Sequence, residues 1–505
     1  RVAKKSAKMS ATARPTALKR LSVALVLSAV AVAHGVVDFE MDEDGCVTTY
    51  DPSVDYFPPE RRAMIGDTSL AVSADSVLAE DFSISYHRTY KVLRNLRTGK
   101  VYVLRQCGTP EEYPNLPDDL INSTFTVFAV PVKKWSTGTT VPISFLEEIG
   151  MGPHMAVVDD TYMTSECGQK LTACGAVTAP ATTFGADWTA SVNASDSELH
   201  FTDDWATGAS GLSIDVAFDA SSDPGMLQRA EWLKFAAAFF NKEPEANQVF
   251  DGIRSRFNAI VDHVLAERLA SASSPRCAFV SHSPESVWSG ITYPESFDIS
   301  NDEYLREAIF KGGGASIDPT YAAQLCPLNW NGGKFACPSA TAMKQVLKTC
   351  DAVFDDTYPT GGDYPSYTLD TFKERFQLSA ADISSGDYPF LTSGRVYRTD
   401  KRHGPTNKFG GYGLDFFESA IPHADIFLND VAAVLFPTAY PSYTTRWVRN
   451  IAAGEATAIV DATACEDPFS VCAGETAPPS PPSLFNFCDG TMCLIQPSSE
   501  ETTSE

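Results

Sequence analysis

Between residues 226 and 265 the apolar positions change their rule. From 226 to 240 (MLQRAEWLKFAAAFF) they fall on nearly every face of a helix, the pattern of a helix buried all round. Pro244 suits the first turn of a second helix, where its missing N–H costs nothing. Beyond it Ala246, Val249, Phe250, Ile253, Phe257, Ile260, Val261, Val264 and Leu265 recur every three or four residues, a one-sided stripe. The block reads as two consecutive helices, the first buried and the second packed along one face.

On both sides of this block, short strand patterns alternate with helical ones. Upstream, residues 90–105 predict a hairpin turning at 97–100. Strands are predicted at 126–132, 155–159, 199–201 and 213–218, with a small-residue turn at 136–140 and a helix at 142–149. Downstream, strands are predicted at 277–281, 352–354 and 395–397, and helices at 303–310, 341–348, 371–378 and 425–436. Such alternation implies mainly parallel sheets. The expected architecture is α/β: two lobes, 86–225 and 271–460, joined by a helical connector over 226–270. A cleft between lobes is a favoured place for a small ligand.

The termini differ from this body. Lys19 and Arg20 precede an apolar run at 21–32 and an Ala31-Val32-Ala33 site, so 9–33 reads as a signal peptide with the mature chain starting near His34. The run is shorter than the roughly 20 residues a membrane span needs. Residues 34–85 read as an acidic extension. Residues 461–505 read as a Cys- and Pro-rich tail, stiff at APPSPP and polar and disordered at its end.

Charge narrows the partners. The formal net charge is −25, and setting aside the seven basic residues of positions 1–20 leaves −32 on the remainder. That excludes nucleic acid, which calls for a basic patch; it suits solubility, cationic ligands or a salty habitat equally. Twelve cysteines without a CxxC pair or zinc-finger spacing fit disulfides in an oxidising compartment. The expected pairs are 46–107, 167–174, 277–350, 326–337, 465–472 and 488–493. Asn122 and Asn193 head glycosylation triplets.

FAVPVKK at 128–134, STGTT at 136–140 and PISFLEEIG at 142–150 resemble the opening of the class III periplasmic substrate-binding proteins. RAEWLKF at 229–235, with FFNKE at 239–243, is similar to the connector of a bacterial branch. GRVYR at 394–398, FFES at 416–419 and PHADIFLND at 422–430 resemble its final strand and helix. The resemblance runs in order over residues 88–450. It implies two Rossmann-like lobes and an interlobe site for an iron–siderophore, haem or cobalamin complex delivered to an ABC transporter. Helical connectors of this kind imply modest closure. The cysteines, glycosylation triplets and Cys/Pro-rich tail depart from the bacterial pattern and point to a eukaryotic, algal secreted or surface relative.

With the ligand held at strand ends facing the cleft, the candidate contacts are Thr139 and Thr140 before a helix N-terminus, and Tyr162, Trp205, Trp288 and Tyr293 as aromatic surface for a bulky chelate. Arg398 and Arg402 are candidate cations for a negatively charged one. Glu231 and Trp232 read as structure in the connector. No GxSxG, HExxH or P-loop spacing occurs, the histidines are scattered, and no His-rich loop suggests bare-metal binding, so neither catalysis nor a cofactor is expected. The expected function is monomeric, extracytoplasmic capture of a ferric siderophore for a membrane uptake partner. Cobalamin or haem in the same cleft, or a surface interaction protein without a ligand, are the alternatives. A secreted hydrolase on an α/β fold is the remaining enzymatic reading.

Overall fold

The computed structural model describes residues 39–64, 79–180, 188–204, 209–271, 274–288, 290–329, 331–358, 367–407, 411–462, 472, 485–488 and 491–494. The signal segment expected at 9–33 lies outside these residues. Among the described residues no helix is long and apolar enough to cross a membrane.

The connector follows its pattern closely. Helix Met226–Ala238 is buried on all sides, including Arg229, Glu231 and Lys234. Asn241 takes φ of 55° at the corner, and helix Glu243–Ser271 follows with Pro244 in its first turn. Of the stripe, Ala246, Phe250, Ile253, Phe257, Ile260 and Val264 are buried; Leu265, at its end, is exposed. The first helix belongs to two cores. Met226 and Ala230 pack with the long helix and the second lobe, whereas Trp232, Leu233, Phe235 and Phe239 pack into the first. Trp232 meets Phe82 and Phe218 edge-on, with ring centroids 5.1 and 5.4 Å apart. One rigid rod shared by two cores couples the lobes more stiffly than a loop could.

Buried charges in the connector are paired, as burial requires. Lys234 donates to Glu231 at 2.7 Å, and Glu231 also accepts the Ala79 N–H. Lys91 reaches Glu243 at 2.5 Å. Asp223 accepts the Trp232 indole N–H; burial, set against that bond, raises its carboxyl to about 6.

The first lobe holds two sheets. Phe82–Tyr86, Tyr90–Asn95 and Val101–Gln106 form an antiparallel meander, joined in parallel by Thr126–Val130. The hairpin's local turn favours antiparallel pairing over a crossover. The second sheet is wholly parallel, in the order Met155–Val158, Trp135–Thr137, Leu199–Thr202, Asp215–Ala217. Residues 136 and 137, read as turn, thus lie in a buried strand.

The second lobe carries a mixed seven-stranded sheet. Arg276–Ser283, Ala352–Asp355 and Val396–Arg398 are its parallel centre. Ser296–Ser300 and Lys334–Cys337 extend one side antiparallel, and Arg449–Asn450 the other. The long connector helix packs against Ala424–Leu435 over this sheet.

Described parts of the flanking segments pack on the first lobe, through Phe57 and Cys472. Tyr56 and Phe57 of the amino-terminal extension are buried, and Cys46 is bonded to Cys107 as expected. Cys326–Cys337 also forms as expected. The expected pairs 167–174 and 465–472 do not form: Cys167 bonds Cys472, 305 residues away, and Cys174 has a disulfide of its own. Nor does 277–350; both thiols are free and buried. The side chains of Cys488 and Cys493 lie outside the described residues.

Candidate functional site

The chain leaving the carboxyl end of strand Val396–Arg398 in the second lobe reaches, through Asn407, the turn at the carboxyl end of Met155–Val158 in the first. After strand Met155–Val158 the chain continues as Asp159-Asp160-Thr161-Tyr162. After Ala352–Asp355 it turns through Asp356-Thr357-Tyr358. The two turns are built alike. Asp159 Oδ1 accepts the Thr161 N–H at 2.9 Å, and Asp355 Oδ1 accepts that of Thr357 at 3.0 Å. Such Asx turns are a local use of aspartate that competes with strand continuation.

A loop of the second lobe crosses to the first here. Asn407 donates to the Thr161 carbonyl at 2.8 Å. Gly413 lies so close to Tyr162 that an added Cβ would stand 1.9 Å from its carbonyl oxygen. Glu418 accepts the N–H groups of Thr164 and Ser165, each at 2.7 Å, and so caps helix Glu166–Ala173 from the opposite lobe. His423 lies 3.3 Å from Glu148. The returning chain completes the seam through the Cys167–Cys472 bond and a reciprocal pair of hydrogen bonds, Gln169 to Val460 and Ala462 to Gln169.

Carboxyls crowd this seam. Glu147 hydrogen-bonds the Ser165 hydroxyl. Glu147 is half-buried, and the protein around its carboxyl governs its acidity. Burial raises it to about 7, against the Ser165 bond and with Glu148, Asp415 and Glu166 adding repulsion. Burial also drives Glu418 well above the usual carboxylate range.

The sequence-predicted residues divide as follows. Tyr162 is 37% exposed at the seam. Arg402 donates to Asp415 at 2.9 Å and lies 4.0 Å from Glu166 of the other lobe. Arg398 is 2% exposed and bonded within the protein. It donates to Asp355 at 2.7 Å, to Asp400 at 2.6 Å and to the Thr357 carbonyl at 2.9 Å, and its guanidinium lies 3.7 Å from the Tyr367 ring centre. Burial alone would raise Asp400, yet Arg398 and Arg449 hold it below its ordinary value. Arg398 therefore braces the 355–358 turn. Thr139 and Thr140 are half-buried before helix Val141–Glu148, with Thr139 bonded to Thr137. Tyr293 is 50% exposed on a hairpin of Ser286–Trp288 with Ile291–Tyr293. No described hydrogen bond or ring contact joins Thr139, Thr140 or Tyr293 to the Tyr162 seam. Trp205, and the side chain of Trp288, lie outside the described residues.

Tyr358 was not among the sequence candidates. It is 48% exposed; burial first, and then repulsion from Tyr162, push its acidity to about 12. The sequence did carry a signal for it. AVVDDTY at 156–162 and AVFDDTY at 352–358 agree at six of seven positions.

No family model and no curated protein matches this chain. Among solved structures it is similar to a periplasmic heme binding protein from Pseudomonas aeruginosa, at 12% identity over 65% of this chain and 99% of that one, with a TM-score of 0.41. It is also similar to IsdE of S. aureus complexed with heme, at 10% identity over 60% and 98%, with a TM-score of 0.42. The FhuD protein from S. pseudintermedius gives 11% identity over 61% and 93%, with a TM-score of 0.39. At these values the two-lobed α/β fold rests on its own strand order and connector, described above.

Proposed function

We propose that this chain is an extracytoplasmic solute-binding protein. It captures an iron chelate of the ferric-siderophore class between its lobes and passes it to a membrane uptake partner. The observation that supports this reading is the contact of the chain leaving a parallel strand of one lobe with the turn after a parallel strand of the other, together with a partly exposed tyrosine in the turn after one such strand of each lobe. Ligands of open α/β sheets bind outside the carboxyl ends of strands. Aromatic rings there offer large contact area at small entropic cost. In this reading Tyr162, Thr139, Thr140, Tyr293 and Arg402 remain ligand contacts, together with Trp205 and Trp288. Arg398 acts through the turn it braces. Residues 9–33 direct export, and 86–225 and 271–460 are the two lobes. Asn122 and Asn193 are exposed, as glycosylation acceptors must be.

The test is a fluorescence titration of the mature chain with ferric hydroxamates, ferric catecholates, haem and cobalamin. Saturable quenching by a ferric chelate at sub-micromolar concentration supports the reading. Saturation by haem or cobalamin alone would reassign the ligand. Silence toward all of them favours a surface interaction protein that keeps the fold without the solute.

A further inference from the structure

Four cations line a groove away from the seam of Glu147, Tyr162 and Glu418. Helices Glu243–Ser271 and Glu303–Lys311 wall it, together with residues 225, 227 and 228 and the strand Ala315–Ser316. Its volume is about 1030 Å³, room for a molecule the size of a cofactor. Arg254 and Arg268 come from the long helix, Arg306 and Lys311 from the short one. Two carboxylates face them, Glu303 and Glu307. The chain as a whole has the opposite balance, 64 acidic residues to 39 basic.

The fold does not use these cations. Glu307 is engaged elsewhere: it accepts the Met226 N–H at 2.7 Å, at the start of the first connector helix. Arg254 pairs with Asp251, which does not line the groove. Among the described residues, Arg268, Arg306 and Lys311 make no ion pair. Arg268 and Lys311 are nonetheless half-buried. A partly desolvated cation without a counter-charge is a cost to the fold and a source of positive potential. Phe310 stands beside them 59% exposed, with the Arg268 guanidinium 5.9 Å from its ring centre. Its own helix packs through Tyr304, Leu305, Ala308 and Ile309 and does not need it. Arg254 and Arg268 stand about 21 Å apart along their helix, at its rise of about 1.5 Å per residue, so the charges lie in a line.

We propose that this groove is a binding site for an organic polyanion, a small molecule with an aromatic ring and two or more phosphate or carboxylate groups. The ring stacks on Phe310 beside Arg268. The anionic groups meet Arg306 and Lys311. A guanidinium presents two N–H donors to two oxygens of either group, so phosphate and carboxylate share this chemistry. A line of charges with a ring at one side selects such a molecule over a single small ion, which can meet one or two cations only. The site is separate from whatever the lobes hold between them.

Titration calorimetry of the full, disulfide-intact chain in metal-free buffer tests this with four probes: ATP, benzene-1,3,5-tricarboxylate, inorganic triphosphate and adenosine. ATP or the tricarboxylate should bind one-to-one, more weakly as salt is added. The tighter of the two assigns the anionic group. Adenosine should not bind. Lys311→Ala and Arg306→Ala should each weaken binding by about tenfold, the worth of one charge-assisted hydrogen bond. If ATP is the tighter ligand, Phe310→Ala should bring it down to the affinity of triphosphate. Lys100→Glu, at an exposed lysine of the other lobe, should change nothing. Failure of both ring-bearing anions to bind overturns the site. Binding that survives all three groove variants, or that Lys100→Glu weakens equally, overturns its location. Triphosphate binding as tightly as ATP overturns the part given to the ring. Binding of a solute between the lobes, present or absent, changes none of these outcomes.

Discussion

Replacing Glu147 with glutamine should stabilise the protein, and only above acidic pH. The Glu147 carboxyl is buried at the seam and shares the Ser165 hydroxyl. Its folded-state acidity, at about 7, stands above the ordinary 4.5. The folded state therefore holds this proton more tightly than the unfolded chain does. Below pH 4.5 the group is protonated in both states and costs nothing. Between 4.5 and 7 the unfolded chain releases its proton first, and stability drains away. Above 7 the full penalty is present, roughly 3 kcal/mol at most by the linkage between acidity and free energy. Glutamine cannot ionise and keeps an acceptor for Ser165. Denaturant unfolding of wild type and Glu147→Gln with disulfides intact, at pH 4.5 and pH 8, should give equal midpoints at the lower pH. At the higher pH the variant should be favoured by about 2–3 kcal/mol. A difference that does not change with pH, or a variant less stable than wild type at pH 8, would refute the assignment of a buried, repelled carboxyl to this seam.

Arg398→Met should cost about 3–5 kcal/mol, because Asp355 and Asp400 would be left buried with a partner removed; thermal or denaturant unfolding reads it. Trp232→Ala, which empties the junction of Phe82, Phe218 and Phe235, should cost a similar 3–5 kcal/mol by the same assay. Cys167→Ser should lower stability by roughly 2–5 kcal/mol, since the lost bond to Cys472 closes a long loop across the lobes. Cys277 and Cys350 should resist alkylation in the native protein and react after unfolding; rapid native labelling of either would contradict their burial.

What the sequence made legible follows the range of the forces involved. The connector could be read because its evidence is local: a helix buried on every face and a helix buried on one leave different periodicities in adjacent residues. The hairpin turning at 97–100 and most strands of the second lobe were likewise local patterns. The pairing of Cys167 with Cys472 was not legible, since spacing favours the nearer Cys174 and only the returning chain brings residue 472 alongside. The bond of Arg398 to Asp355 was not legible either, because the partner lies 43 residues away in sequence. Ser136 and Thr137 looked like a turn because small polar residues rarely announce a buried strand; Ser136 is tolerated there by its contact with His200 at 2.8 Å. Tyr358 is the instructive omission. The repeat that marks it is plain in the chain, but reading for periodicity and composition passes over two heptapeptides that agree at six positions and stand in different lobes.

The measurement that bears most directly on the account is titration of the wild-type chain with intact ferric chelates, followed by intrinsic fluorescence. The account predicts saturable, one-to-one quenching at sub-micromolar concentration by a preassembled chelate, with ferric chloride alone producing none. A flat response to every chelate, haem and cobalamin from a folded, disulfide-intact protein would contradict it.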